Sequence, residues 1–394
     1  MGTDGGGGHR GRRRGRRGPA AALAAVMAVV VWSSLGLTAC VPPQGSCLDA
    51  PPGLRAVADA HGLQVGTAYR QQYAHDDACY QPVATRELNS LTPEIATFSN
   101  RIAAVPGRYD FTEADAICDL AQQHDMDCQG HAILWDPVDH PEWGIVPGWI
   151  RAQTPAQRRA TMVDYVTAVV THLRGRVDAY TLVNEAFDGA GHLTNSLWNT
   201  TGDDSYIFDA YRAARRADPE ATLLYNDWGG EDVNPKSNAI LDLAQRLHAE
   251  TVAVEVDGTV RQLPLIDGVG FQMHVGVGPG QAPAPASVAQ NMARLAAAGL
   301  EVRITEMDVR VPVDADGVAT AADLQRQATL YAQLIDTCVD APNCDSIAFW
   351  GFTDAHSWIT ENAGSFPGQG AAHPYDPRYR PKPAYDAIAA ALAG

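Results

Sequence analysis

Positive charge is scarce in this chain. Its 394 residues hold 29 lysines and arginines against 46 aspartates and glutamates, a net charge of −17. Six arginines and one aspartate in the first 40 residues give that stretch a net +5, so the rest stands at −22. Nucleic-acid binding normally needs a basic face, and a body this acidic does not offer one. Acidity of this kind aids solubility and suits an exported protein acting on a neutral polymer. The chain also has no Cys-x-x-Cys and no His-Glu-x-x-His. Zinc sites of those kinds are therefore excluded, and neither a metal nor a cofactor is expected. Nor does a glycine-rich phosphate loop follow the first predicted strand, where the sequence reads Gly66-Thr67-Ala68-Tyr69-Arg70. That counts against an open, doubly wound nucleotide-binding sheet.

Apolar residues make up 46% and charged residues 19%, enough for a sizeable core. The N-terminus reads as an address. A basic run at 9–17 precedes an apolar stretch from Ala20 to Leu37, then Leu37-Thr38-Ala39-Cys40. This is the pattern of an export signal. Its close resembles a bacterial lipobox, with Cys40 as the lipidated residue and the new N-terminus. An ordinary cleaved signal, or an uncleaved anchor of about 18 residues, is the alternative. Residues 1–40 are thus assigned to export, 41–52 to a proline-rich tether and 53–394 to one catalytic domain. The expected place of action is the cell surface or the medium, with the lipid as the sole membrane attachment, and a monomer is expected.

Six cysteines remain after Cys40. An even count in an exported chain suggests disulfides, which the sequence alone does not pair. Local spacing favours Cys118 with Cys128 and Cys338 with Cys344, leaving Cys47 with Cys79.

From residue 53 onward strands and helices alternate. Apolar, β-branched runs predict strands at 63–69, 87–91, 127–135, 177–184, 222–227, 268–274, 301–306 and 346–352. Helical patterns fall at 155–173, 205–217, 236–249, 286–298 and 321–338. Thr154-Pro155 and Asn234-Pro235 each offer an N-cap followed by a proline in the first turn. Eight strands alternating with helices predict a (β/α)8 TIM barrel, whose active residues gather at the carboxyl ends of its strands.

Polar and aromatic residues do collect at those ends: Glu94, His131, Trp135, Asn184, Glu185, Tyr225, Gln272, His274, Glu306 and Trp350. Two carboxylates are the minimal equipment for cleaving a glycosidic bond. Taken singly, each glutamate would pass for a helix-start charge. Together, Glu185 and Glu306 can divide the work of acid and nucleophile if their surroundings hold their pKa values apart. His274 could hydrogen-bond Glu306 and keep it ionised. Asn184 offers an amide to a sugar 2-hydroxyl. Trp135, Trp350 and Trp358 offer flat faces to sugar rings and indole N–H groups at their edges. Asp227 and Asp308 also follow strands and are assigned to positioning their neighbours.

The combined pattern resembles the glycoside hydrolase family 10 xylanases. The likeness runs from Gly66-Thr67-Ala68 through Asn89-Ser90-Leu91-Thr92-Pro93-Glu94, Gly107-Arg108-Tyr109-Asp110-Phe111 and Gly130-His131-Ala132-Ile133-Leu134-Trp135. It continues through Val183-Asn184-Glu185-Ala186-Phe187, Tyr225-Asn226-Asp227, Gln272-Met273-His274 and Ile304-Thr305-Glu306-Met307-Asp308. It closes on Trp350-Gly351-Phe352-Thr353-Asp354, Ser357-Trp358 and Pro381-Lys382-Pro383-Ala384-Tyr385. The resemblance implies a barrel that cleaves internal β-1,4 bonds of xylan with retention of configuration. It casts Glu185 as acid/base and Glu306 as nucleophile, supported by Asn184, His274 and Asp308. It implies sugar contacts from Glu94, His131, Trp135, Asn184, Gln272, His274, Trp350 and Trp358, and a Cys338–Cys344 disulfide; the strand-end reading adds Tyr225 to the sugar-binding set.

Four positions depart from the family. After Thr92-Pro93-Glu94 the family usually has asparagine and, three residues on, lysine and tryptophan; here stand Ile95, Phe98 and Ser99. After Trp135 it usually has histidine, and here Asp136 opens an altered loop that contains Trp143. The lost groups normally grip sugar hydroxyls, and one charged hydrogen bond alone contributes roughly 1.5–3 kcal/mol. Two rival readings follow: a related hydrolase with a changed sugar preference, and a non-catalytic sugar-binding lipoprotein.

Overall fold

The computed structural model describes Cys47 and residues 53–394. The export signal, Cys40 and the tether other than Cys47 lie outside the described residues. Eight parallel strands form the barrel: β1 (Gln64–Tyr69), β2 (Ser90–Pro93), β3 (Asp127–Gly130), β4 (Ala179–Asn184), β5 (Thr222–Asp227), β6 (Gly268–Phe271), β7 (Glu301–Pro312) and β8 (Cys344–Phe349). Neighbours in sequence are neighbours in space, and β8 closes the ring by pairing with both β7 and β1. Every residue of β4 is buried, as expected of a strand covered by helices on one face and barrel core on the other.

The predicted helices form where their patterns lie. Pro155–Leu173 starts with a capping box: Thr154 accepts from Gln157 N–H, and the Gln157 side chain accepts from Thr154 N–H. Pro235–Ala249 repeats the device with Asn234 and Ser237. The helix Ser205–Ala217 buries Tyr206, Ile207, Ala210, Tyr211, Ala213 and Ala214, a stripe at helical spacing that faces the barrel.

Five local expectations shift, the last strand among them, which starts at Cys344 and ends at Phe349 rather than 352. β2 starts at Ser90 rather than 87, because Glu87 ends the helix Tyr80–Glu87. β3 ends at Gly130, and His131 to Trp135 run on as a loop tied to β4 by backbone hydrogen bonds from Ile133 and Leu134 to Thr181 and Leu182 and from Asn184 to Leu134. The predicted strand 268–274 breaks after Phe271, because Met273 adopts a φ of 62° before a short strand resumes at His274–Gly276. β7 runs six residues past Glu306, far enough for His274–Gly276 to pair with it at Asp308–Arg310.

One antiparallel hairpin, Thr251–Val256 with Thr259–Pro264, was not foreseen. It turns at Asp257-Gly258, both with positive φ, which suits a tight two-residue turn. Cys47–Cys79, Cys118–Cys128 and Cys338–Cys344 are joined, with Cα separations of 5.6, 5.3 and 5.1 Å.

Candidate active site

A cleft of about 1090 Å³ opens at the carboxyl ends of the strands. Both glutamates line it, with Glu94, His131, Trp135, Asn184, Gln272, His274, Trp350 and Trp358. The two carboxylates live in different surroundings. Glu185 follows β4 with a φ of 57°, a left-handed conformation that side-chain-bearing residues seldom adopt. Such strain persists only where surrounding contacts fix it. Here Glu185 N–H bonds Asn226 O at 3.0 Å. Gln272 Nε2 donates to Glu185 Oε1 at 2.9 Å, and Trp135 Nε1 donates to Oε2 at 3.0 Å. Burial raises the pKa of Glu185; the Gln272 bond opposes the rise and the charge of Glu306 adds to it.

Glu306 is 4% exposed and has a cationic partner. His274 Nε2 donates to Glu306 Oε2 at 3.2 Å, and His274 Nδ1 donates to Asp308 Oδ2 at 2.7 Å. Burial works against charge on His274, but Asp308 and Glu306 outweigh it and push its pKa up to about 10. The other Glu306 oxygen accepts from Asn226 Nδ2 at 2.6 Å. His131 Nδ1 lies 3.7 Å from that oxygen and bonds Thr181 Oγ1 at 2.8 Å. Burial depresses the His131 pKa, which favours a neutral ring there.

Asn226 stands at the end of β5 between Tyr225 and Asp227, and sequence reasoning assigned it no role. Its amide donates to both Asn184 Oδ1 and Glu306 Oε1, and its carbonyl accepts from Thr305 Oγ1 at 2.6 Å. Gly270 makes room for it, since a Cβ there would stand 2.2 Å from Asn226 Oδ1. Asn184 Oδ1 also accepts from Gln272 at 3.1 Å, so an amide chain links the two glutamates. The available signal was the position of Asn226 between two residues already singled out, on the strand next to Asn184.

Tyr225 needs correcting. It is fully buried and does not line the cleft. Its hydroxyl accepts from Ala186 N–H at 2.9 Å and donates to Asp227 Oδ2 at 2.6 Å. It therefore braces the turn at Glu185 rather than meeting a sugar. Asp227 is buried against Lys236 Nζ at 2.7 Å, and Asp308 is buried under His274, so neither reaches the cleft as a carboxylate. Two of the indole N–H groups are also spent within the protein: that of Trp135 on Glu185 and that of Trp358 on Asp308 at 2.8 Å. The Trp350 ring stands edge-on to His131, with centroids 4.6 Å apart. Glu94 is held by Arg70 at 2.5 Å.

Residues 53–391 match the model of glycosyl hydrolase family 10. The chain belongs to that family. It is 35% identical to endo-1,4-beta-xylanase B of Thermotoga neapolitana over 356 residues, covering 89% of this chain and 94% of that protein. It is 33% identical to endo-1,4-beta-xylanase A of Phanerodontia chrysosporium, with 72% of this chain and 62% of that longer protein covered. Its fold is similar to that of native xylanase 10B from Thermotoga maritima, at a TM-score of 0.76 and 35% identity, covering 86% of this chain and 98% of that one. Xylanase 10B from Thermotoga petrophila RKU-1, solved with xylobiose, gives a TM-score of 0.77 at 34% identity, covering 87% and 98%.

Within this family 10 barrel, one flank of the cleft is apolar. Phe98, Ala132 and Ile145 form a small buried cluster, with Ile95 and Trp135 packed on it. Phe98 meets Trp135 edge-on at 5.3 Å, and Trp143 meets the same ring at 5.8 Å. His140 stacks on Trp143 at 4.4 Å. Asp136 fixes the loop by accepting from Arg151 Nη2 at 3.0 Å and from Leu197 N–H at 2.7 Å. The departures seen in the sequence thus stand side by side.

Proposed function

We propose that this protein is a retaining endo-β-1,4-xylanase, with Glu306 as nucleophile and Glu185 as acid/base. One observation carries the assignment. Glu306 rests against a histidine charged up to about pH 10, while burial favours the protonated form of Glu185. Paired carboxylates held in unlike surroundings take the two roles.

In the first step a Glu306 oxygen attacks the anomeric carbon. The bond to the leaving oxygen breaks, and Glu185 gives that oxygen its proton. A water then attacks the glycosyl-enzyme ester, Glu185 takes the water's proton, and Glu306 departs as carboxylate. Two displacements return the original configuration. Proton NMR on fresh product should therefore show the β-anomer first; the α-anomer first would end this reading.

The relatives named as endo-1,4-beta-xylanases support xylan as the substrate. The apolar flank favours a second reading, a family 10 hydrolase with an altered glycan preference. Comparing xylan with other β-glycans separates the two.

Three disulfides suit an oxidising compartment and support export. We place the protein at the cell surface, anchored through a lipid on Cys40, with residues 53–394 as the catalytic domain. Cys40→Ser should move the protein from the membrane fraction to the medium. Unchanged fractionation would remove the lipid anchor from the proposal.

A further inference from the structure

Arg310 lies on β7 four residues beyond Glu306 and lines the same cleft, its side chain 11% exposed. Other covered arginines sit on a carboxylate: Arg70 is 2.5 Å from Glu94, and Arg215 is 2.5 Å from Asp267. Arg310 does not. Its Nη1 is 3.7 Å from Asp308 Oδ1, and that oxygen has no hydrogen-bond partner among the described residues. The other Asp308 oxygen is taken by His274 and Trp358. Arg310 Nε makes a long hydrogen bond to Gln369 Oε1 at 3.4 Å. Its guanidinium lies over the Phe366 ring at 4.9 Å. Burial lowers its pKa and Asp308 only partly restores it, as expected of a cation short of negative charge.

A planar guanidinium in a cleft with no carboxylate at hydrogen-bond distance is a receptor for one, which it can take through two parallel hydrogen bonds. In a glycan the carboxylate is that of a uronic acid. Asn362 and Ser365 line the cleft beside Phe366 and bring polar groups for the hydroxyls of such a sugar. Four residues of strand separate the backbones of Arg310 and Glu306 by about 13 Å.

We propose that Arg310 forms a uronate subsite, so that the enzyme recognises xylan segments bearing acidic branches. The proposal rests on the xylan-cleaving reading of the same cleft.

The test compares a xylo-oligosaccharide carrying a glucuronic acid branch with the same compound methyl-esterified at that carboxyl. The wild type should cleave the acid with a kcat/KM roughly tenfold above the ester, the effect of one charge-assisted hydrogen bond at the weak end of its range. That ratio should fall toward one in Arg310→Gln and persist in part in Arg310→Lys. A wild-type ratio near one, or a ratio unchanged in Arg310→Gln, overturns the subsite. If neither compound is cleaved, the xylanase reading fails. Calorimetric binding of the two compounds to wild type and Arg310→Gln then decides the subsite alone, by the same ratio.

Discussion

The two flanks of the cleft are built on opposite principles. On the β5–β7 side, Asn226, Gln272, His274 and Asp308 form a polar network joined through Asn184 and Glu306. On the side of the β2 and β3 loops, Ile95, Phe98, Trp135 and Ile145 pack as an apolar wall. A connected network holds charge and donors in place before substrate arrives, which is what stabilising a developing charge requires. An apolar wall holds no such charge and selects by shape and by which hydroxyls it leaves unpaired. Chemistry is therefore assigned to the polar flank and the choice of backbone sugar to the apolar one, so mutations on each should fail differently.

The largest effect belongs to the polar flank. Glu306→Ala removes the proposed nucleophile and should lower kcat by at least about a thousandfold, as losing a group that works as part of a unit does. Binding of a xylo-oligosaccharide, measured calorimetrically, should survive. Residual turnover equal to wild type would show that the polar flank is not where the chemistry occurs.

His274→Gln sharpens the same side. It keeps a donor near Glu306 but removes the charge, and kcat should fall roughly a hundredfold, the scale of losing one preorganised donor. A pH signature accompanies it. The folded-state pKa of His274 is raised from 6.5 to about 10, so its contribution to stability is complete below about pH 6.5. That contribution is lost as pH rises through about 10. The Tm gap between wild type and variant should be widest at about pH 6 and narrow toward pH 10. A gap that widens with pH would contradict a cationic His274.

Much of this was legible in the sequence because barrel physics is repetitive. Strands buried on both faces read as apolar runs, and the residues that end them face one cleft. Glu185, Glu306, His274 and Trp135 were found that way. Tyr225 met the same criterion and failed it. Its ring is covered, and its hydroxyl is consumed by Ala186 and Asp227, a contact across strands that no local pattern encodes. Asn226 was missed for the converse reason: its importance lies in joining Asn184 to Glu306 through space. The left-handed turn at Glu185 also has no local signal, since glutamate has no preference for positive φ. The hairpin 251–264 alternates buried and exposed residues only on its first strand, which weakened its strand signature.

The smallest effect should come from the apolar flank, and it is the most informative about substrate. Phe98 is 6% exposed and packs on Trp135, so a sugar hydroxyl facing it finds no donor. Phe98→Lys places an ammonium at that wall, and Ile95→Asn adds an amide beside it. If xylose is the unit bound there, the pair should raise kcat/KM on short xylo-oligosaccharides by about tenfold, from one added charged hydrogen bond. The loss of Phe98 packing should cost about 1–3 kcal/mol of stability, so Tm is measured alongside to separate a weakened fold from a changed cleft. A folded double variant with lower activity on xylose chains would mean that the wall is itself a binding surface. The flank would then select an apolar feature of the substrate, and the two sides of the cleft would share recognition after all.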